Sequence, residues 1–383
     1  MTSTRARVLV LTYTPIAREP RALKQINHLA ERFEVTSAGF GEAPVDGVEH
    51  LELESSPRAR GIAALPGLYT LLLAFRIYPL LQRWNSRNQA ALRRLAGREW
   101  DVIIAHDVHT LWLANQLRPR RGILVDLHEY APRQNEHSFL WRLLIGPYFR
   151  WICRHQVTKA SAVTTVGQGI VDEYRREFGF NASLVVNATP FQPLSPVPTA
   201  HPIRLVHSGI PGRARKLEIM IEAVRSTTAD VTLDLFLIKD GSEYYDELVE
   251  LAGDSDRIRF MDPVPYADLV TTLNGYDLGL SVIAPTTFNL TWCLPNKFFD
   301  FVQARLGVII GPSAEMVSFV ERYEIGAVAD DFTAQSLGRL LETITPAQIE
   351  AWKSNSDRYA RELSSEEQVK IWGRIVEDIV SSR

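Results

Sequence analysis

The sequence predicts an α/β protein built from two doubly wound parallel sheets, and three observations support this prediction. Short apolar runs alternate with amphipathic helical stretches along most of the 383 residues, a pattern typical of parallel sheets covered by helices on both faces. The alternation begins at Arg7 and begins again at Ile203. Between the two halves, residues 188–202 contain five prolines, which indicates a linker. We therefore expect domains at 1–190 and 200–360, facing each other across a cleft.

Composition narrows the possible functions. The chain is 46% hydrophobic and 23% charged, as in ordinary globular proteins, and its net charge is −3. Binding to nucleic acid as the main activity would need a basic excess, so we expect no nucleic-acid partner. The two cysteines, Cys153 and Cys293, lie far apart in the sequence and favour a reducing cytoplasm over a disulfide framework. No apolar run is long enough to predict a transmembrane helix.

The first half opens with a strand at Arg7–Thr14, a helix at Ala22–Arg32 and a strand at Glu34–Ala38. The loop after the first strand ends at Arg21 and lies where doubly wound sheets bind ligands. It lacks the glycine fingerprint of dinucleotide sites, so the sequence gives little support to NAD binding.

Two later strands end in polar residues. The run WDVIIA leads into His106, and GILVDL leads into His128 and Glu129. Residues just beyond the carboxyl ends of parallel strands face the ligand crevice, so these side chains are candidates for substrate binding, although a structural role is the commoner one for a lone histidine. Metal ligation by these histidines with Asp107 and His109 is weakly supported, because no known metal spacing occurs. We predict no metal.

Two segments are rich in basic and apolar residues and contain no acid. Residues 55–98 carry eight arginines around a largely apolar centre, and residues 137–159 repeat the pattern. Such stretches are typical of helices at a membrane surface. The alternative is a pair of helices packed over the sheet with solvated arginines. The first reading predicts a peripheral protein on the inner face of the cell membrane.

The second half restarts with the strand IRLVH, the loop SGIPGRARK and a helix. A strand, a glycine-containing loop and a helix are the elements that hold a diphosphate, because Gly209 lets the backbone approach and cations supply charge. The cations of this loop are Arg213, Arg215 and Lys216. A solvated surface loop without a ligand is the alternative. Neither a P-loop nor a dinucleotide motif is present.

The run LPNKFFDFVQARLGVII predicts a helix and a following strand. Pro295 suits the first helical position, and Gly307 is expected to end the helix. Asn296 and Lys297 then lie at the amino end of the helix, where backbone N–H groups favour a phosphate.

This run resembles the PNK-type segment of the retaining glycosyltransferases of family 4, which have the GT-B fold of two Rossmann-like domains. The resemblance extends over most of the chain. The segments that carry it are, in order, EPR, DVIIAHD, DLHE, ASAVTTVG, VVNATP, LVHSGI with RARK, the strand ending in KDG, and AEMVSFVERYEIGAV.

The resemblance implies a metal-independent transferase whose co-substrate is a nucleotide sugar, with no further cofactor. It assigns the donor diphosphate to Lys216, assisted by Arg213 or Arg215, and the ribose hydroxyls to Asp300. It places His128 beside the transferred sugar, so that His128, Lys216 and Asp300 form the catalytic group. Arg21, His106 and Glu129 are candidates for contact with the sugar or acceptor. A lipid-linked or polysaccharide acceptor is expected, and a terminal helix at 366–383 is expected to pack on the first domain.

The chain also departs from the family pattern. Trp292 stands where the first of two acids is expected, and Asp300 is one methylene shorter than the usual glutamate. Arg305 replaces a usual glycine. Two alternatives therefore remain: a catalytically silent GT-B protein that binds a glycan or partner, and a sugar-nucleotide epimerase. The donor base and sugar, the acceptor and the oligomeric state are not predicted by the sequence.

Overall fold

The computed structural model describes residues 5–58, 65, 67–239 and 241–382. The chain divides into two compact units. Residues up to Val186, together with those from Gln368 onward, form the first unit, and Asn187–Glu367 form the second. Residues 59–64 and 66 of the first acid-free segment, and Asp240 of the KDG motif, lie outside the described residues.

The first unit contains a sheet of seven parallel strands in the order β3-β2-β1-β4-β5-β6-β7. The central strand β4 is buried at every residue, as expected where helices cover both faces. The strands are β1 (Arg7–Pro15), β2 (Glu34–Phe40), β3 (Glu49–Glu52), β4 (Val102–His106), β5 (Gly122–Leu127), β6 (Ala162–Thr165) and β7 (Ser183–Leu184). The sequence did not predict β3, because this short edge strand has a glutamate at each end and fully buries only Leu51.

Helices of the first unit connect these strands and cover the sheet. They are α1 (Pro20–Ala30), α2 (Leu68–Ala74), α3 (Tyr78–Trp84), α4 (Ser86–Leu95), α5 (Asp107–Leu117), α6 (Gly146–His155), α7 (Gln168–Phe178) and α16 (Ser365–Ser381). In α1 the buried positions 22, 26 and 29 recur at helical spacing, which places one apolar face against the sheet. From the carboxyl-terminal helix, Trp372, Val376 and Ile379 pack into the same core as Val8 and Val10 of β1.

The second unit repeats the plan with six parallel strands in the order β10-β9-β8-β11-β12-β13. The strands are β8 (Ile203–Gly209), β9 (Val231–Leu237), β10 (Ile258–Met261), β11 (Leu278–Ser281), β12 (Gly307–Ile310) and β13 (Gly326–Val328). The helices are α8 (Glu218–Ser226), α9 (Glu243–Ala252), α10 (Tyr266–Leu273), α11 (Phe288–Thr291), α12 (Asn296–Gln303), α13 (Ala314–Tyr323), α14 (Ala334–Thr343) and α15 (Pro346–Tyr359). Both units therefore have the strand order of a doubly wound Rossmann sheet, as predicted.

Helix α12 differs from the prediction at both ends. Pro295 is the residue before the helix, with extended backbone (ψ 150°), and the helix begins at Asn296. At the other end the chain leaves the helix at Arg305, which has a positive φ of 62°, and Gly307 is already the first residue of β12. The buried guanidinium of Arg305 donates to Asp357 and to two backbone carbonyl groups. These bonds hold an arginine in a conformation that usually favours glycine.

A buried ion pair joins helix and sheet in the first unit. Arg21 of α1 donates from Nε and Nη2 to the two carboxylate oxygens of Asp126 in β5, at 2.7 and 2.6 Å, and neither side chain is more than 3% exposed. The guanidinium also donates to the carbonyl of Val185 and lies 4.6 Å from the ring centroid of Trp372. The pair therefore connects α1, the sheet and the carboxyl-terminal helix.

Replacing Arg21 with Met is expected to cost about 3–5 kcal/mol of unfolding free energy, because it leaves the Asp126 carboxylate buried without its cation. Urea denaturation followed by circular dichroism measures the loss. Arg176→Gln, which removes an exposed pair with Glu173, is the control and should leave the midpoint unchanged. A loss for Arg21→Met no larger than that of the control would contradict the assignment.

Candidate active site

A cavity of about 600 Å³ opens in the second unit at the carboxyl ends of its strands. Its walls come from the ends of β8 and β9, from residues after β10 and from the first turn of α12. This is the edge at which doubly wound sheets bind ligands, and the volume is in the range of small-molecule sites, about 300–1,000 Å³. Five of the predicted donor-site residues line it, namely Gly209, Arg215, Asn296, Lys297 and Asp300.

The cavity has the features of an anion site. The amino end of α12 has no side-chain cap, and its first residues, Asn296 and Lys297, line the cavity. The backbone N–H groups at the start of a helix favour an anion. Lys297 and Arg215 add two cations at the same place. Gly209 has φ of 136°, and a Cβ there would lie 2.9 Å from Lys297 Nζ. Glycine thus leaves the space in which the lysine reaches the cavity.

Lys297 is buried, and its Nζ lies 2.9 Å from Nε2 of His207. Burial and the nearby Arg215 lower the pKa of Lys297 to about 7. His207 was not predicted as part of the site. Its only signal was a polar residue inside an apolar strand, immediately before the glycine-containing loop.

A further part of the cavity wall contains a buried acid and an aromatic ring. Asp300 Oδ1 accepts a hydrogen bond of 2.5 Å from the hydroxyl of Thr189. Burial and Asp300 raise the pKa of Tyr266 to about 12, so this cavity-lining phenol is neutral. Pro263 and Val264 line the cavity beside Tyr266. This wall therefore combines apolar surface with one carboxylate, which suits a ligand with an aromatic ring and hydroxyl groups.

The other cations of the basic loop lie elsewhere. Arg213 makes a bidentate ion pair with exposed Glu247, at 2.7 Å for each bond, and lies over the ring of Tyr244. Lys216 is exposed, has a positive φ of 51°, and is not among the residues that line the cavity. Its predicted role at the diphosphate stays a prediction. Trp292, at the position of the expected first acid, follows the short helix α11 and does not line the cavity.

In the first unit a second polar cluster lies at the carboxyl ends of β4 and β5. Buried Asp126 accepts hydrogen bonds from Arg21, Gln25 and Thr164. Because Gln25 donates through Nε2 to this carboxylate, its Oε1 accepts from Nε2 of His106 at 3.0 Å. His106 consequently carries its proton on Nε2.

The tautomer of His106 determines the direction of its hydrogen bond with His128. Burial, followed by the effect of His128, lowers the pKa of His106 to about 3, so this ring is neutral. Its Nδ1 therefore accepts from Nε2 of His128, at 2.9 Å. The other nitrogen of His128, Nδ1, lies 3.6 Å from Asp107. Of the predicted candidates, Arg21 and His106 are buried within this network, and His128 is partly exposed at its end.

Glu129 follows His128 and is partly buried. Burial and Asp107 raise the pKa of Glu129 to about 7, and Gln134 donates to its carboxyl at 2.5 Å. A carboxyl with this pKa can exchange a proton near neutral pH.

The same cluster has the spacing of a metal site. Ligand atoms of His106, Asp126 and His128 lie within 4.8 Å of one another. However, the Asp126 oxygens already accept from Arg21, Gln25 and Thr164, and both nitrogens of His106 are used. A divalent cation would have to displace a buried guanidinium, so these residues fit a hydrogen-bond network better than a metal.

Comparison with known proteins agrees with this architecture. The family model of Glycosyltransferase Family 4 matches residues 21–187. The fold is similar to that of HepE from Anabaena in complex with UDP-glucose, with a TM-score of 0.71, 15% identity, and coverage of 98% of this chain and 100% of that chain. No protein of curated function matches the sequence of the chain.

Two further structures have the same fold. Sucrose-phosphate synthase from Thermosynechococcus elongatus has a TM-score of 0.74 and 13% identity, covering 99% of this chain and 100% of that chain. The trehalose-6-phosphate protein of E. coli bound with UDP-2-fluoro glucose has a TM-score of 0.62 and 11% identity, covering 99% and 100%. At these identities the likeness concerns the fold alone.

Replacing Lys297 with Met is expected to weaken binding of a nucleoside diphosphate by about 1.5–3 kcal/mol, the usual range for a hydrogen bond to a charged group. This corresponds to a roughly 10- to 150-fold higher Kd, measured by calorimetry with UDP and GDP. The matched change Lys216→Met should raise the Kd by no more than about threefold, because that side chain is exposed. If Lys216→Met raises the Kd more than Lys297→Met does, the diphosphate is assigned to Lys216 instead.

Proposed function

We infer that this chain belongs to Glycosyltransferase Family 4, whose family model matches residues 21–187, and its two Rossmann-like units have the GT-B fold. From this premise we propose that it is a retaining glycosyltransferase that moves a sugar from a nucleotide-sugar donor to a lipid-linked or polysaccharide acceptor. The observation that carries the proposal is the anion site at the amino end of α12, where Lys297, Arg215 and Gly209 line one cavity.

The donor diphosphate lies against these groups. As the glycosidic bond breaks, negative charge develops on the departing nucleoside diphosphate. Cations and N–H groups already in position stabilise that charge without rearranging. In this proposal Lys297 and Arg215 supply the positive charge directly, and the exposed Lys216 of the same loop adds only a weak, screened contribution. The proposed reaction therefore needs no metal and no cofactor besides the co-substrate.

In this proposal the nucleoside lies against Asp300 and the apolar residues that line the same cavity. Asp300 is buried there, with one oxygen bonded to Thr189, and in this proposal its carboxylate accepts hydrogen bonds from the ribose hydroxyls. Tyr266, Pro263 and Val264 provide apolar surface for the base. Stacking on an aromatic ring such as that of Tyr266 does not select one base. The donor base therefore has to be identified by experiment.

The first unit contributes the groups for sugar and acceptor. His128 is partly exposed, and its Nε2 is already committed to His106, so in this proposal its other edge contacts the transferred sugar. Glu129, with its raised pKa, is the candidate for exchanging a proton with the acceptor hydroxyl. Arg21 and His106 act through their neighbours, because both are buried.

A screen of nucleotide sugars tests the proposed function. Each donor is incubated with the purified protein, and release of the nucleoside diphosphate is followed with and without lipid extract or oligosaccharide acceptors. At least one donor is expected to be turned over. His128→Ala should lower that rate at least about tenfold, whereas His201→Ala, at an exposed histidine of the second unit, should not change it.

The alternatives give different results in the same screen. Donor binding without any turnover would support a catalytically silent binding protein. The observation that suggests this alternative is Trp292 at the position of an expected acid. Interconversion of donors in the absence of an acceptor would support an epimerase. Failure of every donor to bind below millimolar concentration would overturn the assignment of the cavity.

In this proposal an apolar patch on the first unit attaches the protein to the inner membrane surface, where it meets a lipid-linked acceptor. The two acid-free segments pack together through a cluster that includes Leu72, Tyr78 and Trp151. Around this cluster, large apolar side chains are 49–71% exposed, namely Tyr69, Leu71, Phe75, Phe139, Leu140 and Leu143. Apolar surface beside arginines and without acids suits an anionic lipid surface. None of the helices in the described ranges is long and apolar enough to cross a membrane.

Sedimentation with vesicles tests this attachment. The protein is expected to bind vesicles that contain anionic phospholipid more strongly than purely zwitterionic ones, and less strongly at high salt. Leu71→Ser with Phe75→Ser should weaken binding severalfold, since two exposed apolar groups are lost. Val249→Ser, at an exposed valine of α9 in the second unit, is the control. Equal binding of all three proteins would remove this patch from the proposal.

A further inference from the structure

The side chain of Lys297 has an uncommon hydrogen-bond partner for a buried cation. Only 7% of the residue is exposed, and its Nζ donates to Nε2 of His207 at 2.9 Å. A buried lysine usually pairs with a carboxylate, because an unpaired charge in a protein interior is costly. Here the direct partner is an imidazole, which offers a lone pair but no negative charge when it is neutral.

The protonation state of His207 follows from its other contact. Its Nδ1 lies 2.7 Å from the carbonyl oxygen of Leu280 in the neighbouring strand β11. A carbonyl accepts and cannot donate, so Nδ1 carries the proton and Nε2 presents its lone pair to Lys297. Complete burial and the Lys297 ammonium hold the pKa of His207 well below its usual range. The ring therefore stays neutral and fixes the direction of the lysine side chain.

Neighbouring groups shift the pKa of Lys297 in opposite directions. Arg215 disfavours the ammonium, whereas Asp300 on the same helix and Cys293 before it favour it. Helix α12 also packs on α10, α15, β11 and β12. On α10, Tyr266 lines the same cavity and is neutral. On α15, Lys353 pairs with Asp277 and Asp357 pairs with Arg305. With burial included, the balance brings the pKa of Lys297 to about 7.

We propose that His207 is a positioning residue for Lys297, and that binding of a nucleotide sugar in the cavity transfers one proton from solvent to the Lys297 amine. This inference deepens the proposed function and rests on it, because the diphosphate is the anion that the lysine meets. The proton balance is simple. Above neutral pH the empty site contains largely the neutral amine, and the occupied site contains the ammonium against the diphosphate.

The sign of the pH dependence follows from this balance. A diphosphate beside Lys297 favours the charged form and raises its pKa in the complex. Affinity is therefore highest below the pKa of the empty site and falls as the pH rises through it, until the pKa of the complex is reached. For a free value near 7 and a much higher value in the complex, the Kd should rise roughly 20-fold between about pH 6.5 and 8.5.

Calorimetry with UDP-glucose and GDP-mannose tests the inference on the full chain. The diphosphate of a nucleotide sugar is a diester and keeps its charge across this pH range, so the ligand itself does not titrate there. Titrations in two buffers of different ionisation enthalpy measure the protons taken up on binding. Uptake approaching one proton is expected near pH 8, together with the rise in Kd. Lys297→Met should bind with little pH dependence and without proton uptake.

Variants of His207 separate positioning from simple structural support. His207→Leu removes the acceptor of Lys297 and should raise the Kd at least about tenfold at pH 6.5. His207→Gln keeps one donor and one acceptor, and should restore most of the affinity and the proton uptake. His201→Gln, at an exposed histidine that lies 3.2 Å from Asp230, is the matched control. Melting temperatures check that each variant is folded.

The outcomes distinguish the inference from the proposed function. Tight binding with a pH-independent Kd and no proton uptake would overturn the inference and leave the donor site intact. Equal binding by His207→Leu and the unaltered protein would overturn the positioning role. If neither nucleotide sugar binds at any pH from 6.5 to 8.5, both the inference and the assignment of the cavity fail.

Discussion

The candidate anion site of the second unit depends on a short helix whose amino end has no side-chain cap. Pro295 precedes α12 and provides neither a side-chain cap nor an N–H. The second residue of the helix, Lys297, reaches back past Gly209, where a methyl group would meet its ammonium. The arrangement places backbone dipoles, a lysine and Arg215 around one volume. Electrostatic stabilisation of a leaving group requires such groups to be in place before the reaction.

Much of this fold follows from local sequence patterns. Apolar strands and helical spacing predicted both parallel sheets, and the glycine-containing loop after β8 was predicted where residues of the cavity lie. The short edge strand β3 was not predicted, because four residues with two glutamates carry no periodic signal. The ends of α12 were predicted one to three residues away from their positions. Gly307 looked like a helix stop, but three hydrogen bonds from Arg305 maintain the strained backbone earlier in the chain.

The candidate site could be predicted only as a set of neighbouring loops. Gly209, Arg215, Asn296, Lys297 and Asp300 lie together because β8 ends and α12 begins at the same edge of the sheet. The sequence could not distinguish Lys216 from Lys297, since both follow a plausible signal for phosphate binding. The two lysines differ in their exposure to solvent, and this exposure depends on packing between residues that are far apart in the sequence. His207 and Gln25 were not predicted for the same reason: their roles come from partners 90 and 81 residues away.

Arg305 also anchors the carboxyl end of α12. Its guanidinium joins the end of this helix to the carbonyl of Gln192 in the proline-rich segment and to Asp357 on α15. A glycine at this position would satisfy the backbone but would leave that end of the helix without these anchors. With the carboxyl end held, the amino end has little freedom to shift. The entropy of ordering the binding helix is then lost during folding and not during each encounter with a ligand, which favours tight binding of a small, highly charged molecule.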